Sequence, residues 1–184
     1  MSMLVSYTQT PMVLDAVGAL KVTHYYGRSA LDDVYTYLRA FVLRGDLIFS
    51  LTAFEQTPPA ESRIAVAFRF LPEKDPFFYL TVGPACPVEA FLSGSNGMVS
   101  LSLPQQGNRF GGSDEQGFYW GYEFCLPSSF LAQMGAKLLP GSVFTGNLYK
   151  YAVGESAFGA AFPCDPSLGF PRGENFGEFV VVPY

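Results

Sequence analysis

The sequence predicts an all-β protein, a two-sheet antiparallel β-sandwich with one short helix. Aromatic residues make up 16% of the 184 residues, whereas charged residues make up only 15%, well below the roughly 25% of an average soluble domain. Apolar and polar residues alternate with a period of two along several segments, as in strands buried on one face. Many glycines and prolines supply turns between these segments. The length fits one domain spanning residues 1–184.

Strand-like runs follow one another along the chain, and they number about nine, as a sandwich requires. Residues 35–43 and 47–53 alternate on either side of residues 44–46, which predict a tight hairpin connection. The most regular alternation belongs to residues 118–126, where five aromatic or apolar side chains share one face. The predicted strands cover residues 19–26, 35–43, 47–53, 64–70, 77–82, 99–103, 118–126, 143–152 and 179–182.

One helix is predicted over residues 127–134. Pro127 suits the first turn of a helix, and Gly135 suits its C-terminal stop. A second segment has two interpretations, because Ser29, Asp32 and their neighbours could cap a helix that runs to Tyr37. The β-rich sequence that follows favours a short turn before a strand.

Glycine and proline concentrate at residues 56–61, 105–117 and 154–173. The second stretch is polar and predicts a mobile loop. The third stretch is apolar and aromatic, so we expect it to pack onto the body of the protein.

Charge and composition argue against several classes of partner. The net charge is −5 and the lysines and arginines are scattered, whereas nucleic-acid binding needs clustered cations. The same scattering argues against an anionic membrane surface, and no apolar run approaches the ~20 residues that span a bilayer. Oligomeric state cannot be read from the sequence.

Cysteine usage and the N-terminal residues bear on the compartment. Cys86, Cys125 and Cys164 are widely spaced and odd in number, which fits buried thiols in a reducing environment better than disulfides or a zinc site. Residues 1–20 lack the basic and apolar regions of a signal peptide. We therefore expect a cytoplasmic protein if Met1 is the native start, and a secreted one if a leader precedes it.

The C-terminal third contains two motifs that belong together. GNLYKY (146–151) ends one strand, and FPRGENFG (170–177) leads into the closing strand. They resemble the signature of family 9-like carbohydrate-binding modules, β-sandwiches related to the DOMON group, in which a G-N-[FL]-Y-[KR] strand precedes F-H-x-P-x-x-F-G. Pro171 and Gly173 replace the His and Pro of that octet, and the loop between the motifs contains no tryptophan. The resemblance implies a sugar-binding module rather than an enzyme.

Candidate catalytic groups are few. His24 is the only histidine, and neither a metal set nor a nucleophile elbow accompanies it, so no cofactor, metal or triad is expected. Glu55 and Glu123 could in principle flank a sugar as the two carboxylates of a glycoside hydrolase. The simpler interpretation is that each is solvated or paired with an arginine.

The predicted ligand site combines aromatic rings with polar groups in the C-terminal loops. Rings can stack on the apolar face of a sugar while arginine, carboxylate and amide groups bind its hydroxyls. The leading hypothesis is thus a non-catalytic module that binds a mono- or oligosaccharide. The alternative is a degenerate sandwich that serves as an interaction module or binds a small apolar ligand. The predicted ligand-binding residues are Trp120, Tyr149, Tyr151, Phe158, Phe162, Phe170, Arg172, Glu174 and Asn175.

Overall fold

The computed structural model describes residues 2–27, 34–115 and 117–184, in which fourteen strands and one short α-helix form. The helix α1 is Ser128–Gln133. The strands are β1 (Ser2–Thr8), β2 (Ala19–Lys21), β3 (His24–Tyr26), β4 (Thr36–Leu43), β5 (Asp46–Ala53), β6 (Ser62–Arg69), β7 (Phe77–Val82), β8 (Glu89–Gly94), β9 (Gly97–Ser100), β10 (Asn108–Asp114), β11 (Gly117–Leu126), β12 (Val143–Ala152), β13 (Phe158–Ala160) and β14 (Gly177–Pro183).

The strands form one curled sheet with two facing halves. Their hydrogen-bonded order is β10-β11-β5-β4-β1-β14-β12-β6-β7-β8-β9, with β2 beside β4 and with β13 between β12 and β3. The all-β sandwich prediction is confirmed, although the sheet is mixed rather than purely antiparallel. Strand β1 lies between β4 and β14, runs parallel to both and thereby joins the two halves of the sandwich.

A single core lies between the halves. The ring of Phe49 on β5 meets the ring of Phe68 on β6 edge to face, with centroids 5.5 Å apart. Phe49 also stacks on Phe124 of β11, and Phe68 contacts Phe179 of β14. Rings from both halves therefore interdigitate, and burial of such apolar surface is the main force that closes the sandwich.

Local chemistry accounts for the predicted turn and helix. Arg44 and Gly45 both have positive φ, at 53° and 101°, as in the two-residue turns that join twisted strands. The hairpin between β4 and β5 is thus confirmed. Pro127 caps α1 rather than lying inside its first turn, and Gly135, at φ 77°, follows its end.

The mobile-loop prediction for residues 105–117 is wrong over most of its length. Residues Asn108–Asp114 form β10 and pair with β11 over its first seven residues. Because β10 is an edge strand with one side open to water, polar residues and glycines are compatible with it. The sequence patterns do not predict β1, β8 or β13 either. Residues 29–33, where either a helix or a turn is expected, lie outside the described residues.

The C-terminal stretch packs onto the protein as predicted. Residues 163–176 cross the outer face of β12, β6 and β7, where Phe176 meets Phe77 of β7 edge to face with centroids 5.0 Å apart. The guanidinium of Arg69 lies near both rings and fills the space where a Cβ at Gly173 would stand. This packing explains why the chain has glycine at that position of the octet.

None of the described helices is long and apolar enough to cross a membrane.

Candidate functional site

A groove of about 550 Å³ lies on the outer face of β4, β5 and β11. Edge strand β10 borders it on one side, and residues 11–15 form the wall beside β4. The volume falls within the ~300–1,000 Å³ that is typical of small-molecule sites. The groove therefore has room for a small ligand.

Strand alternation decides which side chains face the groove. Leu38 and Ala40 of β4 are buried and point into the core, so Tyr37 and Arg39, which alternate with them, point outward. The same alternation operates on the two neighbouring strands. The outward residues that line the groove there are Ile48, Ser50 and Thr52 of β5, and Tyr119 and Glu123 of β11.

Aromatic rings gather at one end of the groove. The ring of Phe54 lies 6.3 Å from that of Tyr37 and 5.5 Å from that of Tyr119, centroid to centroid. Phe110 of β10 adds a fourth ring at 6.4 Å from Tyr119. All four are half-buried, so each keeps part of its surface available to a ligand. Exposed ring faces of this kind suit the apolar C–H face of a sugar.

A polar row crosses the floor beside the rings. Arg39 pairs with Ser50 across β4 and β5, and Ser50 pairs with Glu123 across β5 and β11. Adjacent strands lie about 4.8 Å apart, so the backbones of Arg39 and Glu123 are roughly 10 Å apart. Arg39 forms an ion pair with Asp15, and its guanidinium carbon lies 5.0 Å from the centroid of the Tyr37 ring. The floor thus offers N–H donors, a hydroxyl and carboxylates.

Gly121 lets the Phe110 ring lie against β11. A Cβ at this position would collide with the carbonyl oxygen of Leu51 and with the Phe110 ring. A larger residue would displace that ring or push β11 away from β5. Glycine is therefore required for the shape of the groove.

The structure brings together four of the nine predicted ligand-binding residues. The ring of Phe170 lies 5.1 Å from Tyr149, 4.9 Å from Tyr151 and 4.5 Å from Phe158, centroid to centroid. Tyr149 has no exposed surface and Phe158 is 4% exposed, and burial raises the pKa of the Tyr149 hydroxyl well above its ordinary value. These rings form a second apolar cluster on the outer face of β12, beneath residues 163–176.

The other predicted residues divide among three environments. Phe162 belongs to the main core, and Arg172 and Glu174 are exposed. Asn175 is buried, where its side-chain oxygen accepts a hydrogen bond from the Asp165 amide at 2.9 Å.

Trp120 lies apart from the C-terminal rings, on the inner side of the sheet. Its indole N–H donates to Oε2 of Glu55 at 2.8 Å, and the Lys150 ammonium binds the same oxygen at 3.0 Å. Ser62 also donates to the Glu55 carboxylate. Burial lowers the pKa of Lys150, and the neighbouring Glu55 opposes this shift. Glu55 is therefore neither solvated nor paired with arginine, as the sequence suggested, but forms a buried ion pair with lysine.

The two-carboxylate arrangement does not form. Glu55 points inward to Trp120 and Lys150, whereas Glu123 is exposed on the outer face of β11. The sheet lies between the two groups, so they cannot act from opposite sides of one glycosidic bond.

The remaining reactive groups show no shared centre. Among the described residues, no group of three or more His, Cys, Asp or Glu side chains could hold a metal ion. His24 is half-buried on β3 and pairs with Ala160 of β13. The three cysteines are free thiols and half-buried, whereas buried thiols are expected from the sequence.

Comparison with known proteins supports the fold. No family model matches the sequence, and no curated protein matches it significantly. The structure is similar to that of a proposed carbohydrate-binding protein from Bacteroides uniformis, with a TM-score of 0.75, 14% identity and 98% of each chain covered.

Two further similar structures are of a family 9 carbohydrate-binding module from Caldicellulosiruptor kristjanssonii. The complex with glucose has a TM-score of 0.65 and covers 100% of this chain and 97% of that chain, and the complex with cellotriose has a TM-score of 0.61 and covers 100% and 95%. Both are 9% identical to this chain. At such identities the likeness shows the fold alone, and the DOMON relation and the octet motif stay predictions.

Sequence reasoning missed the groove, although part of the signal was readable. The alternation of Tyr37 and Arg39 along β4 predicts that they share a face. That Glu123 lies beside Ser50 follows only from the pairing of β11 with β5, strands that are distant in sequence.

Proposed function

We propose that the protein is a non-catalytic carbohydrate-binding protein, and that the groove on β4, β5 and β11 is its sugar site. The observation that carries the proposal is the adjacency of half-buried aromatic rings and a polar row on one concave surface. The solved relatives with this fold include a module in complex with glucose and with cellotriose.

The geometry assigns a role to each part of the groove. Tyr37 and Tyr119 offer apolar surface to the C–H face of a pyranose. Arg39, through its fork of donors, and Glu123, as an acceptor, bind hydroxyls at the edge of the ring. The segment at residues 11–15 limits the length of the site beside β4.

The two carboxylates that the sequence offers for hydrolysis, Glu55 and Glu123, do not share the groove. Hydrolysis of a glycosidic bond requires two carboxyl groups roughly 5–10 Å apart around the same bond. Glu123 faces the groove, whereas Glu55 is held inside by Lys150.

The direct test is titration of the ¹⁵N-labelled protein with mono- and oligosaccharides, including glucose and cellotriose. We expect amide shifts in β4, β5 and β11, and an affinity loss of about 3- to 10-fold for Tyr37→Ala, since one ring contact contributes about 0.5–1.5 kcal/mol. Tyr184→Ala is the matched control, because Tyr184 is 78% exposed and lies outside the groove.

The same titration separates the groove from the C-terminal residues that the sequence predicts as the site. Loss of affinity in Arg172→Ala, with Tyr37→Ala unchanged, would move the site to residues 158–175. Absence of binding across the whole saccharide set would contradict the function itself.

A second candidate function is binding of a small apolar molecule. A cavity of about 460 Å³ opens between β7 and α1, and its lining includes the rings of Phe70, Phe78 and Phe130. Binding of a small aromatic hydrocarbon, detected by methyl shifts of Met134 at the cavity wall, would support it. Methyl resonances that stay fixed at saturating hydrocarbon would exclude this function.

A further inference from the structure

We propose that the groove selects saccharides by charge, binding amino sugars more tightly than neutral sugars and neutral sugars more tightly than uronates. This inference rests on the proposed sugar site in the groove. It adds the class of ligand, which the fold and its relatives leave open.

The charges that line the groove are unequal in number. Arg39 is the one cation in the described lining, where it faces the carboxylates of Asp15 and Glu123. Lys21 lies near the aromatic end, with its ammonium 5.1 Å from the Tyr35 ring centroid, but outside the lining. The whole chain carries a net charge of −5. Carboxylates therefore outnumber cations in the described lining.

Arg39 already has a partner. Arg39 forms an ion pair with Asp15 and lies against the Tyr37 ring. A sugar carboxylate would have to displace Asp15 or share the guanidinium with it, while approaching Glu123 across the floor. Like charges at such a distance disfavour binding, and the groove offers no second cation in the described lining to compensate.

Glu123, by contrast, is available to a ligand. It is exposed, and within the described residues it has no ion-pair partner. Tyr37 lies one row along the strands and two strands across from Glu123, which separates their backbones by about 12 Å. A ring substituent such as an ammonium group spans part of that distance, so Glu123 is placed to bind it.

The test compares the methyl glycoside of glucose with two ligands that each differ from it at one position, those of glucosamine (an amine at C2) and glucuronate (a carboxylate at C6), and includes the trisaccharides of all three. Calorimetric titration at about pH 6 keeps the amine protonated, since such amines titrate near pH 7–8. At low ionic strength we expect roughly 2- to 5-fold tighter binding of the amine than of the neutral sugar, and a similar penalty for the uronate, as for a solvent-exposed ion pair. Near 1 M salt, where the Debye length falls to about 3 Å, both differences should shrink.

Two variants locate the effect. Glu123→Gln keeps the shape of the side chain and should bring the affinity ratio of amine to neutral sugar close to one. Glu178→Gln removes an exposed carboxylate of β14 outside the groove and should leave the ratio unchanged.

The outcomes distinguish this inference from the proposed function. If the neutral sugar binds in the groove but the uronate binds as tightly as the amine, or if Glu123→Gln retains the selectivity, the charge selection is overturned and the sugar site stands. If none of the ligands binds, the sugar site and the selection are both overturned.

Discussion

The two outer faces of the sandwich carry similar side chains but differ in how far those side chains are buried. The face of β4, β5 and β11 presents Tyr37 and Tyr119 half-buried around an open groove. The face of β12, β6 and β7 presents Tyr149 and Tyr79, and both are buried. Residues 163–176 cover the second face, whereas no described segment crosses the floor of the first.

The two faces differ in burial because residues 163–176 lie over only one of them, and not because their strands differ. Both faces alternate aromatic and small or polar residues, as sheet faces with one side away from the core do. Once Phe170 lies on Tyr149 and Tyr151, those rings become a second core. Uncovered rings stay available to a ligand. An outward aromatic residue is therefore a platform or a packing residue according to what the rest of the chain places above it.

The largest expected effect comes from the ion pair that joins the two halves. Glu55 follows β5 and Lys150 belongs to β12, and both are nearly fully buried. Lys150→Met leaves the Glu55 carboxylate buried without its cation and should lower the free energy of unfolding by about 3–5 kcal/mol. Urea unfolding measures this.

The double variant Glu55→Gln/Lys150→Met is the control, since it removes both charges and should recover part of the loss. A single-variant loss below about 1 kcal/mol would mean that the halves are held together without the pair.

A matched pair of ring deletions compares the two faces directly. Phe170→Ala should cost about 2 kcal/mol of stability, less than the ~3–5 kcal/mol of a fully buried phenylalanine because Phe170 is half-buried. Tyr37→Ala in the groove should cost less, about 1 kcal/mol, because the nearest ring centroids lie 5.6 and 6.3 Å from Tyr37 but 4.5–5.1 Å from Phe170. Thermal or urea unfolding under the same conditions checks the order, and equal losses would show that the groove face is packed as tightly as the covered one.

The covered face should also respond to alkaline pH. Burial raises the pKa of the Cys164 thiol from its ordinary 9.0 to about 11. Between these values the folded protein keeps a proton that the unfolded chain releases, so stability falls as pH rises through this window. Cys164→Ser removes this titration and should flatten the decline between pH 9 and 11.

Urea midpoints measured at half-unit pH steps detect the difference in slope. Burial also raises the pKa values of Tyr79 and Tyr149, so a residual decline above pH 10 is expected in both proteins. Parallel curves for the two proteins would exclude a contribution from Cys164.

The smallest effect is expected from the exposed polar residues of the covering segment. Arg172 is exposed and donates from Nε to the Leu168 carbonyl oxygen at 3.0 Å. Arg172→Ala should change stability by no more than about 0.5 kcal/mol. A larger loss in urea unfolding would show that polar contacts, and not the rings of Phe170 and Phe176, hold the segment down.

Most strands could be predicted because their signals are local. Residues 35–43 and 47–53 alternate regularly, and a positive-φ glycine turn separates them. Strand β10 was not recognised because an edge strand open to water needs little apolar sequence. Strand β1 was also missed, since its role of joining both halves by parallel pairing depends on distant partners.

The site was harder to predict than the fold. The sequence pointed to the aromatic and polar residues of 158–175, and the structure packs most of those rings against one another. Alternation along residues 118–126 places Glu123 on the face opposite the five aromatic and apolar side chains, but it indicates no partner for Glu123. Ser50 and Arg39 lie in one row with Glu123 only because β11 and β4 pair with opposite edges of β5.

By itself, then, the sequence determined the β-rich elements, the Arg44–Gly45 turn, the helix after Pro127 and the two faces of each strand. These follow from alternation and turn chemistry, which act over a few residues. Only the tertiary structure decided that Tyr149 is buried and Tyr37 is open, and that Glu55 meets Lys150 inside while Glu123 stays outside. Burial depends on which distant segment lies above a face, and the alternation of residues within a strand does not indicate which segment that is.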